Sequence, residues 1–415
     1  MSTPIQPTET TPNASPSPAA VAEVVQPTKV STGAFLKDVF TCSLGAYGGP
    51  EAHMSVFLDQ LVTRRKYLTE DELVELIALC SVLPGPTSTQ TIVAVGYKTG
   101  GPWLAFWTMM VWALPALVVM TLLSFLYAFL AMGDLSGDLL RYVGPMAVGF
   151  ILVAVWRIGR KVVTDVPTGA MMVAAGVITY FIRAPWIFPA VLVAGGAASI
   201  LMAPERDLWN RVRLRPPWRY LAAFGAFALG ALALAAWTHW HLATVFEHFY
   251  RYGYLVFGGG QVVVPVMHGE LVEGMRAMTS EEFLTGYGLV QGLPGPMFSF
   301  AAYAGGMASR DGSVALQVAG AVLGGVGIFL PGLLLIYFVY PVWEGLKGIR
   351  AIRVSLRGVN AVAGGLIAVA GVILLQAGGL AWDHLLVTVL TAALLFSRKV
   401  PAPLIVAAAL AVGLA

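Results

Sequence analysis

Two stretches of this chain hold residues whose types and spacing suit ligand chemistry. "SVLPGPTSTQ" runs from Ser81 to Gln90, and "QGLPGPMFSF" from Gln291 to Phe300. Each carries Pro-Gly-Pro (Pro84, Gly85, Pro86; Pro294, Gly295, Pro296), and the two copies lie 210 residues apart. Proline favours the first turn of a helix, where its missing N–H is not needed and its φ is preset. Helices should therefore start at Thr87 and at Met297. Such a start exposes unpaired N–H groups and the positive end of the helix dipole, which suit an anion. Thr87, Ser88, Gln90 and Ser299 add polar side chains just beyond the prolines.

A glycine cluster precedes each copy. "SLGAYGGPEAH" holds Gly48, Gly49 and Pro50; "GYLVFGGGQVV" holds Gly258, Gly259 and Gly260, followed by Gln261. The same offset pairs Gly48 with Gly258, Thr69 with Thr279, Glu72 with Glu282 and Gly96 with Gly306. "YLTEDELVEL" and "AMTSEEFLTG" both set Thr or Ser before acidic residues, a capping-type helix start. One matching glycine pair would mean nothing. Both clusters, both caps and both Pro-Gly-Pro units at one offset make an internal repeat. The titratable groups nearest the glycine breaks are Glu51, His53, His268 and Glu270, the candidates for carrying protons. Glu51 and His53 align with Gln261 and Val263, so a role confined to one half would fall to the first. As water-facing charges at element ends, His268 and Glu270 would need no role.

The elements that must position these residues lie in a bilayer. Apolar residues make up 58% of the chain and charged ones 11%, against about 45–50% and 25% in soluble domains. Continuous rather than alternating apolar runs exclude a β-barrel. The expected spans are 102–130, 141–156, 166–181, 184–202, 219–237, 313–340, 358–375, 384–396 and 402–414. The first 33 residues are rich in Pro, Ser and Thr, lack a signal peptide's basic and apolar regions, and read as a disordered tail. Cys42 and Cys80 read as small packed residues, and the six histidines have no metal-ligand spacing.

Charge sets orientation. With Arg157, Arg160 and Lys161 cytoplasmic, counting spans puts Arg206, Arg211, Arg213, Arg215, Arg219, Lys347, Arg350, Arg353, Arg357, Arg398 and Lys399 on the same side. The other side receives mainly Arg141 and Arg183, with Asp134, Asp138 and Asp383. Fourteen basic residues against two is a positive-inside signal. The loop after 102–130 is then external and its counterpart after 313–340 internal. The two halves are therefore oppositely inserted, and the single span 219–237 supplies the odd crossing. The expected organisation is a tail (1–33), a first repeat (34–203), a basic linker with one connecting span (204–240) and a second, inverted repeat (241–415). The fold class is an all-α polytopic membrane protein with two inverted-topology repeats. Residues 35–97 and 249–307 are too interrupted for simple spans and read as half-helices or re-entrant hairpins. A kink in a buried helix would explain one Pro-Gly-Pro. Two, each coupled to a glycine break, point to paired broken helices around an ion site.

"YGGPEAH", "RRKYLTEDEL", "LPGPTSTQ", "FGGGQVVVPVMHGELVE" and "GYGLVQGLPGPMFSFAAYAGG" together resemble the chromate ion transporter family in its long form of two fused halves, from about Phe35 to the C-terminus. The chain departs from the family's habit at Tyr47, where Phe is usual, and at Tyr67 and Met278, where Trp is common. The resemblance implies export of chromate, a tetrahedral dianion like sulfate, across a bacterial inner membrane. It implies an oxyanion and lipid as partners, with no nucleic acid and no cofactor; a homodimer stays open.

One helix terminus contributes up to about 2 kcal/mol, whereas dehydrating a charge costs on the order of tens of kcal/mol. The site should therefore stay partly hydrated and recruit the polar side chains above. A cation from Arg64, Arg65, Lys66 or Lys98 could join them, though each alone reads as a solvated helix end. The interior-negative potential is worth about 2.3 kcal/mol per charge per 100 mV, so a dianion gains on leaving and export needs little else. Proton exchange, a sulfate or other oxyanion transporter, and a channel stay open. A membrane-embedded chromate-handling enzyme would need a nucleophile, metal or redox constellation, and none stands in the sequence. Gly320 and Gly324 read as a helix-packing pair.

Overall fold

The computed structural model describes residues 31–132, 136–182, 184, 186–204, 208, 214–256 and 263–414. Residues 1–30 of the expected tail lie outside these, as do Arg183, Arg206, Arg211 and Arg213; the first helix starts at Thr32. The first half comprises α1 (Thr32–Gly45), α2 (Pro50–Phe57) continued by a π-turn (Leu58–Arg64), α3 (Glu70–Val82), α4 (Thr87–Met132), the short α5 (Ser136–Leu140), α6 (Val143–Val162), α7 (Val166–Phe181) and α8 (Ile187–Leu201). The connecting span is α9 (Trp218–Thr238). The second half comprises α10 (His241–Leu255), α11 (Val263–His268) with a π-turn (Gly269–Gly274), α12 (Ser280–Gln291), a 3-10 turn (Met297–Ser299) leading into α13 (Phe300–Ala308), α14 (Val314–Val339), the short α15 (Trp343–Leu346), α16 (Arg350–Ala377), α17 (Trp382–Ser397) and α18 (Ala402–Gly413). No strand occurs among the described residues.

The repeat is visible in detail. Thr69 with Glu72, and Thr279 with Glu282, form complete capping boxes on α3 and α12. Both π-turns close on i→i−5 bonds at equivalent places, Arg65 N–H to Gln60 O (3.1 Å) and Met275 N–H to Glu270 O (2.7 Å). Left-handed Lys66 and Arg276 follow them. Helices start at Thr87 and at Met297, immediately after each Pro-Gly-Pro.

Equivalent helices run in opposite directions. α4 and α14 touch at Pro102 with Tyr337 (hydroxyl to carbonyl, 2.5 Å) and again at Ser124 with Gln317 (3.4 Å), which makes them antiparallel. α6 and α16 are likewise antiparallel, since Gly378 lies against Val148, Gly371 against Leu152 and Gly364 against Val162. Ion pairs mark the two ends of these helices. One side gathers Lys98–Glu72, Lys347–Glu75 and Arg357–Asp165. There the Thr168 hydroxyl and amide, then Arg357, hold the Asp165 carboxyl below its ordinary value. The other side gathers Arg141–Asp383 (2.7 Å) and Arg310–Glu282 (2.5 Å). The chain is an all-α polytopic membrane protein of two inverted repeats.

Three spans differ from expectation. The apolar run from Pro102 is the outer arm of α4, joined to its half-helix through a break at Gly100 and Gly101. α6 extends to Val162 and α16 begins at Arg350, so both take in basic residues. Long basic side chains carry their charge outward along apolar stems, so such turns stay helical near the interface. Among the described residues five helices are long and apolar enough to cross a membrane; α7, α8, α17 and α18 are shorter apolar helices. The Gly320/Gly324 pair is packing: a Cβ on Gly324 would strike the Ala301 carbonyl oxygen, and one on Gly320 that of Gly305.

Two outcomes follow. Ser124→Cys with Gln317→Cys should form a disulfide on mild oxidation, seen as a mobility shift; failure would place the antiparallel pair elsewhere. Gly324→Leu should overpack the α13–α14 contact at a cost of about 1–3 kcal/mol, read as a lower melting temperature in detergent.

Candidate functional site

Pro-Gly-Pro offers one backbone N–H in three residues, because neither proline has one. In both copies that single donor crosses to the other half. Gly85 N–H donates to Val256 O (2.8 Å), and Gly295 N–H donates to Ala46 O (2.9 Å). The two bonds are equivalents at the 210-residue offset, and each acceptor carbonyl stands just ahead of a glycine cluster. The geometry demands glycine: φ is +134° at Gly85 and +101° at Gly295. Each half-helix tip is therefore bonded, in the interior, to the end of a helix of the other repeat.

This refines the sequence expectation. The Gly85 and Gly295 amides are engaged, so the donors left ahead of the helical ladder are further on. At the first tip the ladder opens with Gln90 N–H to Pro86 O (2.9 Å), which leaves the amides of Thr87, Ser88 and Thr89 ahead of it. At the second, Ser299 N–H to Pro296 O (3.0 Å) leaves those of Met297 and Phe298.

The first tip is polar. His53 Nδ1 lies 3.0 Å from Ser88 Oγ, both residues buried. Trp112 stands edge-on to His53, with centroids 5.4 Å apart, and donates from Nε1 to Thr89 Oγ1 (3.2 Å). Ser43 Oγ donates to Trp112 O (2.8 Å). Gln90 donates from Nε2 to Pro84 O (2.9 Å), and its buried Oε1 has no partner among the described residues. Gln90 also borders Gly332 of α14, while Gly295 borders Ser43 and Ala116, so each tip is seated in the opposite half.

The second tip is apolar. Ser299 is fully buried and its hydroxyl turns back onto Pro296 O. A cavity of about 10 Å³ lies beside it, bounded by Val264, Met267, Tyr287, Met297 and Phe298. It has room for about one water and none for a tetrahedral oxyanion.

Gly48 and Gly49 take left-handed φ of +82° and +91°, and Gly49 caps α2, whose first turn is Pro50 and Glu51. Gly258, Gly259, Gly260 and Gln261 lie outside the described residues. His268 meets Ser280 (3.1 Å) and Phe283 rather than the first tip's groups. Glu270 accepts from Arg251 Nη1 (2.6 Å) and the Tyr252 hydroxyl (2.8 Å). The cations weighed as helpers pair elsewhere: Arg64 with Asp59, Arg65 with Asp38 and Lys98 with Glu72. Sequence reasoning missed Ser43, Thr89 and Trp112. Thr89 sits within the quoted "PTSTQ"; the Trp112 contact joins residues 23 apart and leaves no local mark.

Comparison with known proteins finds matches in both halves of the chain. The sequence model described as "Chromate transporter" matches residues 34–200 and 243–414, one segment in each half. A "Chromate transport protein" of Pseudomonas aeruginosa is 27% identical over 78% of this chain and 76% of its own. A "Chromate transport protein" of Cupriavidus metallidurans is 24% identical over 89% of each. A "Probable chromate transport protein" of Synechococcus elongatus is 25% identical over 80% of this chain and 82% of its own. No solved structure matches. With both halves matched in tandem, the chain belongs to the chromate transporter family and is a multi-pass membrane transport protein rather than an enzyme.

Proposed function

We propose that the protein exports chromate from the bacterial cytoplasm across the inner membrane in exchange for protons, holding the dianion between the half-helix starts of its two inverted repeats. The observation that carries this reading is the crossed pair Gly85–Val256 and Gly295–Ala46, which ties each start to the opposite repeat. At the first start the amides of Thr87, Ser88 and Thr89 combine with the Ser88 hydroxyl and the positive dipole end, a donor set suited to an oxyanion. His53 holds Ser88 in place and is the titratable group beside it. The tight second tip fits a closed conformation, in which the substrate space forms only when the tips part. Gly48 and Gly49 then act as a place where the backbone bends.

Direction follows from charge. A dianion gains about 4.6 kcal/mol per 100 mV on leaving an interior-negative compartment, from about 2.3 for each charge.

The test is chromate uptake into everted membrane vesicles. Pro84→Ala, Gly49→Ala, His53→Ala and Gln90→Ala should each lower it about tenfold or more, His53→Ala and Gln90→Ala by removing a hydrogen bond at the first tip, Gly49→Ala by straining a positive φ and Pro84→Ala by loosening the turn before the helix start. Wild-type rates in all four would remove the tips from the substrate path. A lumen-positive potential should raise wild-type uptake, and excess sulfate in the same assay reads selectivity. A rate indifferent to voltage would exclude net movement of the dianion's charge.

A further inference from the structure

The crossed repeat also brings α10 against the second π-turn, and the ionic station formed there differs from its equivalent in the first half. In the first half Asp38 of α1 is buried and saturated. It accepts from Gln60 Nε2 (3.1 Å), Arg65 Nε (3.0 Å) and the Tyr67 hydroxyl (2.6 Å). One carboxylate faces one guanidinium, and the station is neutral.

At the 210-residue offset His248 stands for Asp38, Glu270 for Gln60 and Arg251 for Thr41. Arg251 donates to Glu247 (2.8 Å from Nε) and to Glu270 (2.6 Å from Nη1), and Tyr252 also donates to Glu270 (2.8 Å). Two carboxylates face one guanidinium, so with a neutral His248 the station carries one uncompensated negative charge.

His248 is placed to compensate it. Its Nδ1 lies 2.7 Å from the Thr244 carbonyl oxygen and 3.4 Å from Glu247 Oε2. Both neighbours are acceptors, so Nδ1 carries the hydrogen. The neutral ring then points the Nε2 lone pair at Glu270 Oε2, 3.6 Å away. A proton on Nε2 turns that repulsion into a bridge and brings the station to zero. Beside it opens a groove of about 430 Å³, where Glu247, His248, Arg251 and Glu270 face Ala228, Leu229 and Leu232 of α9. Tyr254 is the other titratable group on the groove. α9 brings no charge to it, and α14 meets the far face of α10 with Gly327, Ile328 and Pro331. Among the described residues no group of three or more His, Cys, Asp or Glu is placed to hold a metal ion.

We propose that His248, between Glu247 and Glu270 and balanced by Arg251, is the proton-exchange site of the transport cycle. Its Nε2 takes a proton from water of one compartment in one conformation and releases it to water of the other compartment in the next, while Nδ1–H stays on the Thr244 carbonyl. The station lies on the element that leads through Val256 to the bond with Gly85. Proton occupancy of α10 thus bears on the tip contact. This inference rests on the exchange reading above and moves its proton from the glycine breaks to a residue that reading does not use.

The experiment uses full-length protein in everted vesicles and chromate as the probe. Two quantities are read: accumulation driven by an acidic lumen, and chromate–chromate exchange without a pH gradient. Wild type should gain up to about tenfold accumulation per pH unit for one proton exchanged. His248→Gln and the isosteric Glu270→Gln should lose that gain while keeping exchange within about twofold of wild type. A wild-type gain in both variants overturns the site. Loss of exchange in both also overturns it, because a coupling site must spare the uncoupled reaction. Absence of any gain in wild type overturns the exchange reading itself, and is recognised by being independent of both substitutions.

Discussion

The fold depends on one constraint: backbone that breaks inside a membrane must find its hydrogen-bond partners within the protein. Each repeat breaks twice, where its first helix ends (α1 at Gly45, α10 at Leu255) and at Pro-Gly-Pro. The carbonyl left at the first kind of break in one repeat is satisfied by the amide at the second kind in the other, as Gly85 to Val256 and Gly295 to Ala46. Neither half can satisfy its own interrupted backbone by this route. The inversion is therefore not decoration on a bundle. It is what presents a carbonyl from one side of the bilayer to an amide approaching from the other.

Symmetry in the backbone coexists with asymmetry in the side chains. Around Thr87 the start is lined by Ser88, Thr89, Gln90 and His53, whereas around Met297 the neighbours are Met267, Tyr287 and Phe298. The same holds further out, where a neutral Asp38–Arg65 station faces a charged Glu247–Arg251–Glu270 one. Duplication supplied the matched framework. Divergence of side chains on it allows a polar station, an apolar seat and a titratable group to occupy equivalent places.

Much of this is legible without coordinates, because it rests on local chemistry. The helix starts at Thr87 and Met297 follow from proline, and the capping boxes from Thr69 and Thr279 with their acidic partners. Inversion is legible because basic residues sort by side. What escaped was long-range or geometric. No pattern announces that Trp112 would reach Thr89, or that the Gly85 amide would be taken by a carbonyl 171 residues away. The helical extent of α16 was underestimated because hydropathy ends where charge begins, while the backbone ladder continues through Arg350, Arg353 and Arg357. Arg251 carried a local signal, an acidic residue four positions earlier on the same helix. It was passed over because it lies away from the motifs.

The π-turn at Leu58–Arg64 holds one residue more per turn than the helix it continues. A helix attached through such a turn has a swivel. Passing the surplus residue along the chain would spin α2 by about 100° about its own axis, carrying His53 off Ser88 while the Arg65–Asp38 anchor stayed still.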